Sequence, residues 1–147
     1  MAPITTTIEV DRSAEVVFAY ATDPSRFSEW QKGVVDGAMD TPGAPKVGDR
    51  CLTTRRIGFT NRAVTAEVVH VDPPSTWAVR GVDGPIRAAV EVAVEPVSDT
   101  RARLTISVEF EGHGIGRLLV PVIVEREARK EMPANLAALK QRVESAL

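Results

Sequence analysis

Few side chains in this sequence are of a type and spacing that could do chemistry. Gly112-His-Gly-Ile-Gly116 is a glycine-rich turn between a strand and a helix. A dinucleotide site wants G-x-G-x-x-G opening a strand–helix–strand unit, with an acidic residue about 20 positions on. Here the spacing is G-x-G-x-G and no strand follows, so the turn reads as a flexible approach to the last helix. Two histidines and one cysteine, none at metal-ligand spacing, argue against a zinc site. A proton-transfer site would need a base and a donor able to hold an oxyanion. Tyr20, Arg55 and Arg126 are the candidate donors, with Glu125 or His70 as base.

Each of these has an ordinary alternative. Tyr20 falls on the buried face of the first helix, where packing with a hydrogen-bonded hydroxyl is the default. Arg55 and Arg56 alternate in a strand, so one faces in and one out, although a partly exposed edge would let both snorkel. By alternation His70 shares a face with Val64, Ala66 and Val68 and reads as structural or partly exposed, while His113 reads as solvated loop. Glu125 to Glu131 is mostly a solvated helix face, with an attractive Glu125–Arg129 and a repulsive Glu127–Glu131 pair at i,i+4. Arg126, in line with Val122 and Ile123, is the one aimed inward.

The elements that must position these residues follow from periodicity. Ile115 to Leu147 reads as one long helix, because Met132, Leu136, Leu139, Val143 and Leu147 recur on a single face. Leu118, Leu119, Val120, Val122, Ile123 and Val124 point all round, so that part is enclosed or borders an internal space. Pro121 suits only a helix start, and Pro133 removes a bond to the Arg129 carbonyl at about 3 kcal/mol unless the helix kinks. A kinked or two-piece helix is predicted. Thr5 to Val10 alternates as a first strand. Ser13 caps a short helix, and Asp23-Pro24 ends it and opens a second through Phe27 and Trp30.

Gly33 to Asp40 is a weak strand and Thr41 to Asp49 a Pro/Gly loop. Hairpins follow: Arg50 to Ile57 turning near Gly58, Asn61 to Val71, Trp77 to Gly81, Ile86 to Val97 and Arg103 to Glu111. Their clean in–out alternation marks an antiparallel sheet with one packed face. An apolar sheet face needs the long helix to cover it.

The chain of 147 residues is one domain, 1–147, large enough to bury about two-thirds of its unfolded surface. A formal net charge of −2, mixed in sign, gives no basic footprint for nucleic acid. The single cysteine, Cys51, cannot form an intrachain disulfide and fits a reducing compartment. The first residues lack a signal peptide's basic and apolar regions, and Leu118 to Val124 is far too short to span a membrane. A soluble cytoplasmic protein without stable membrane insertion is expected.

Ser13-Ala-Glu-Val-Val-Phe-Ala-Tyr-Ala-Thr-Asp-Pro-Ser-Arg-Phe-Ser-Glu-Trp30, Val47-Gly-Asp-Arg50, Asp72-Pro-Pro-Ser-Thr-Trp77 and Asn135-Leu-Ala-Ala-Leu-Lys140, taken in this order, resemble the START-like, helix-grip superfamily known as SRPBCC. Within it the chain is most similar to the polyketide cyclase/dehydrase and lipid-transport branch. The resemblance runs over nearly the whole chain, and its specificity lies in the ordered combination. It implies an α+β helix-grip (START/birch-pollen-allergen-like) fold. In such a fold a seven-stranded curved antiparallel sheet has two short helices after strand one and a long C-terminal helix packed on its concave face. A hydrophobic cavity lies between sheet and helix.

That family binds lipids, hormones and polyketides, and some members cyclise or dehydrate polyketide chains. The resemblance thus implies a small hydrophobic ligand, no cofactor and no metal, in a monomer or homodimer. The expected lining is Trp77, Val79, Val90, Val92, Ile106, Val108 and Phe110 from the sheet and Leu119, Ile123 and Arg126 from the helix, with Phe27 and Trp30 near the closed end. The alternative is a polyketide cyclase or dehydratase working through Tyr20, Arg55 or Arg126. One Tyr, two Trp and four Phe leave few anchors for a large oxygenated polyketide, so an aliphatic wall suits an apolar ligand better.

Overall fold

Seven strands form one antiparallel sheet in the order β1-β7-β6-β5-β4-β3-β2. They are β1 Ile4–Val10, β2 Val34–Met39, β3 Arg50–Ile57, β4 Thr60–Asp72, β5 Thr76–Gly81, β6 Ile86–Ser98 and β7 Arg101–Gly112. The computed structural model describes residues 3–57 and 59–146, the side chains at 57 and 122 excepted. The expected turn at Gly58, and the expected facing of Val122 and Leu147, fall outside them. Each strand boundary lies within two residues of the periodicity reading, because β-branched residues alternate cleanly to the strand ends.

The two short helices also lie where their caps place them. Helix α1, Ala14–Ala21, is opened by the Ser13 side chain accepting from the Val16 amide. A 3-10 helix, Pro24–Glu29, is opened by Asp23, whose carboxylate accepts from the Ser25 amide. Gly37 on β2 lets this helix approach closely, since a Cβ there would stand 2.5 Å from the Pro24 carbonyl oxygen.

The C-terminal helix departs from a single rod. Helix α2, Gly116–Leu119, passes into a wide π turn, Val120–Val124, and then into α3, Glu125–Ser145. In the π turn the Glu125 amide donates to the Val120 carbonyl five residues back. The break was expected at Pro133, but α3 runs across that residue, and the irregular turn sits at Pro121 instead. Pro121 lies five residues past the helix start, where its ring would crowd the preceding turn, and a wider turn relieves this.

Met132, Leu136, Leu139 and Val143 of α3 are buried with Val10, Val17, Val68, Val92 and Leu104 in one core. The far end of α3 is clasped to the β1–α1 corner. There the Arg12 guanidinium donates to the carbonyls of Val143 at 3.1 Å and Glu144 at 2.9 Å, and to that of Ala146. A cation on the last carbonyls satisfies them and complements the helix dipole. Lys140 adds a bond to the Glu9 carbonyl at 2.9 Å. Among the described residues no helix is long and apolar enough to cross a membrane.

Candidate functional site

The inner face of the sheet follows from the register. Trp77 stands opposite Val92, which stands opposite Ile106; Val79, Val90 and Val108 form the next row, and Ala88 and Phe110 the next. Towards the α1 end this wall is fully covered, with Val92, Val94, Leu104 and Ile106 all buried. Towards the other end Ile86, Ala88, Val90, Val108 and Phe110 are only partly buried, so the chain leaves that half of the apolar face incompletely covered.

The short-helix end is closed by aromatic rings. Phe27 lies edge-on to Trp30 at 5.9 Å and to Trp77 at 6.4 Å between ring centroids. Trp30 and Trp77 are 6% and 3% exposed, and neither indole N–H has a hydrogen-bond partner among the described residues. A buried donor left unpaired costs about 1–3 kcal/mol, so these two are available to an oxygen brought by a ligand.

On β3, Cys51 and Thr53 are buried on the inner face, which turns Arg55 inward and leaves Arg56 exposed outside. Arg55 donates to Gln31 Oε1 over a long 3.4 Å. Burial pulls its guanidinium below the usual arginine value, against the opposing influence of the Cys51 thiol and the Glu131 carboxylate. Burial likewise pushes the Cys51 thiol up to about 11.

The other candidates do not join Arg55. The Tyr20 hydroxyl donates to Glu29 Oε1 at 2.9 Å, and Glu29 is also held by Arg26 at 3.1 Å, so that hydroxyl is spent in a clasp between α1 and the 3-10 helix. Arg126, expected to face inward, is exposed, and so is Ile123 at 52%, while Leu119 is partly buried. Glu125 is the residue that turns in, 8% exposed, with Arg129 3.9 Å away. Arg126 was phased from Val122 and Ile123, but those two lie in the π turn, whose wider geometry shifts the phase entering α3; counted back from Met132, Glu125 falls on the buried stripe. His70 is also corrected. A register shift between Val68 and His70 pairs His70 with Ala78, putting it on the outer face, exposed and 2.6 Å from Thr76 Oγ1.

The sequence reading passed over Gln31, Thr53, Arg62 and Glu131. Arg62 was findable, since a hairpin closed by Ile57 and Thr60 sets Arg62 opposite Arg55. Gln31 and Glu131 line a groove of about 400 Å³ between the 3-10 helix and α3, together with Trp30, Asn135 and Ala138. A second depression, about 540 Å³, is lined by Ala78, Arg80, Arg87, Ala89, Glu91, Glu109 and Glu111, which alternation places on the outer face, and also by Val69 and by Val79, Ala88, Val90 and Phe110 of the inner rows.

The fold has wide company among solved structures. An aromatase/cyclase, ZhuI, from a Streptomyces species matches with a TM-score of 0.78 at 14% identity, over 97% of this chain and 93% of its own. A START superfamily protein from Mycobacterium smegmatis matches at 0.77 and 16%, over 98% of both chains. The di-domain aromatase/cyclase BexL matches at 0.76 and 19%; the chain is covered to 98% and spans 47% of that protein. Curated proteins give no match by sequence. A family profile described as polyketide cyclase/dehydrase and lipid transport matches residues 1–144, and with the seven-stranded sheet and long C-terminal helix it establishes that the chain belongs to that family.

Proposed function

We propose that the protein binds a small hydrophobic molecule, of lipid, fatty acyl or polyketide-like character, between the inner face of the sheet and the C-terminal helix. The observation that carries this is the gradient of cover along the inner wall. Val92 and Ile106 are sealed, whereas Val90, Val108 and Phe110 on the same face stay partly open. Apolar surface left beside water is favourable to fill, at about 25 cal/mol per Å² buried. The family description, and the aromatase/cyclase name of one neighbour, are consistent with such a ligand.

Native mass spectrometry of the protein from its host, sprayed intact and then denatured, tests this for a co-purified molecule. Titration with the uncharged dye Nile red provides a second readout. The expected result is a stoichiometric apolar adduct or saturable dye binding, lost in Val108→Trp while the fold is kept. A folded wild-type protein with neither adduct nor dye binding would overturn the reading.

A cyclase or dehydratase reading is favoured by one feature, the inward Arg55, which could hold an enolate oxygen. It would require turnover of a polyketide to vanish in Arg55→Ala with binding retained.

A further inference from the structure

Arg55 and Arg62 stand directly opposite each other on β3 and β4, on the inner face that carries Cys51 and Thr53. Opposed positions on neighbouring strands bring two cationic side chains within reach of one bound group. Among the described residues neither guanidinium takes part in an ion pair. Arg55 has five N–H donors and spends one on the 3.4 Å bond to Gln31. The Glu131 carboxylate is close enough to favour the Arg55 charge, while Arg62 is exposed on β4. Gln31 and Glu131, which neighbour Arg55, also border the groove of about 400 Å³ between the 3-10 helix and α3, although neither arginine lines it.

The same face is apolar away from the arginines. Val64, Ala66 and Val68 continue it along β4, and Val68 stands opposite Val79 in the row of Val90 and Val108. Six residues separate Val68 from Arg62, about 20 Å at the strand rise of about 3.3 Å per residue. One wall therefore offers an apolar track ending in an uncompensated cationic fork.

We propose that Arg55 and Arg62 hold the anionic end, a carboxylate or phosphate, of the apolar molecule bound along this wall. The inference rests on the hydrophobic-ligand reading and narrows its ligand to a one-headed amphiphile. Two guanidiniums suit a bidentate oxyanion, which gives each of them a charge-assisted hydrogen-bonded partner.

The test compares dodecanoate, dodecyl phosphate and dodecanol by displacement of Nile red and by calorimetry, below their micelle concentrations. At least one of the two anions is expected to bind about tenfold or more tightly than dodecanol, a charge-assisted pair being the difference. Which anion is tighter tells carboxylate from phosphate. Arg62→Glu, at an exposed position, and Arg55→Met each bring the anions to the affinity of dodecanol for the same variant, and Glu131→Gln strengthens the preference. Equal binding of anions and dodecanol, or a preference that survives Arg62→Glu, overturns the proposal and leaves the hydrophobic-ligand reading standing. Failure of all three to bind the folded wild-type protein overturns both.

Discussion

The hydroxyl of Tyr20 is bound to Glu29 across the junction of α1 and the 3-10 helix, 2.9 Å from Oε1, and the bond changes both groups. Burial, then the Glu29 contact, pushes the tyrosine up to about 12. The Tyr20 hydrogen bond, more than any other influence, holds the Glu29 carboxyl below the usual carboxylate value. The tyrosine stays neutral in the folded protein where the unfolded chain ionises, so its contribution is full below about pH 10 and is lost as pH rises towards 12. Glu29 works at the other end: its contribution is full above the ordinary carboxylate range and is lost as pH falls through it. Because Tyr20 is the sole tyrosine, tyrosinate absorbance reports it alone, and the native midpoint is expected well above that of the urea-unfolded chain. Tyr20→Phe should cost about 1 kcal/mol in urea denaturation and leave Nile red binding unchanged.

Gly116 marks where the last helix is locked to the β5–β6 turn. A Cβ on it would stand 1.9 Å from the Pro85 carbonyl oxygen, and the neighbouring His113 amide donates to that same oxygen at 2.7 Å. Backbone oxygen cannot swing aside as a side chain can. Gly116→Ala is expected to destabilise by about 3 kcal/mol and to lower the thermal midpoint by several degrees. Gly112→Ala, with a contact of 2.3 Å to the Gly116 oxygen, should behave alike.

Where the sequence was legible, two adjacent signals agreed. Alternation from Ile86 to Val94 and from Leu104 to Phe110 described β6 and β7 because those strands pair in unbroken register there. Asp23-Pro24 described the 3-10 helix because cap and first-turn proline act locally. Legibility failed where one residue was inserted into a period. The bulge after Val68 moved His70 to the outer face, and the π turn at Val120–Val124 exchanged Arg126 for Glu125. Both insertions depend on tertiary packing, which a periodicity count does not contain. The candidate site was half legible for the same reason. Arg55 lies on unbroken β3, where alternation puts it and Arg56 on opposite faces without saying which turns in, whereas Gln31 and Glu131 come from a loop and a helix that only the fold brings alongside.

Leu139 and Arg126 share helix α3 and differ in everything else. Leu139 is 0% exposed and sits in the core with Leu136 and Val10. Leu139→Ala leaves a cavity that the antiparallel sheet cannot collapse to fill, and is expected to lose about 3–4 kcal/mol by urea titration. Arg126 is exposed and forms no ion pair among the described residues, so Arg126→Ala should change stability by less than about 0.5 kcal/mol. It should also leave ligand binding and any turnover intact. Loss of either would restore Arg126 to the site and refute the phase set by Glu125.

Cys51 supplies a chemical readout for the same inner face. It is free, buried on β3 and raised by desolvation to about 11, with the nearby Arg55 charge opposing that rise. The thiolate is the reactive form, so at pH 8 the folded protein holds the sulfur both inaccessible and protonated. Iodoacetamide labelling at pH 8 should therefore follow the transient opening of the β3 region and run orders of magnitude slower than in urea. A bound amphiphile that stabilises this face slows the labelling further, by a factor that grows with its concentration. Fast labelling of the folded wild-type protein would contradict the burial of Cys51, which is 3% exposed.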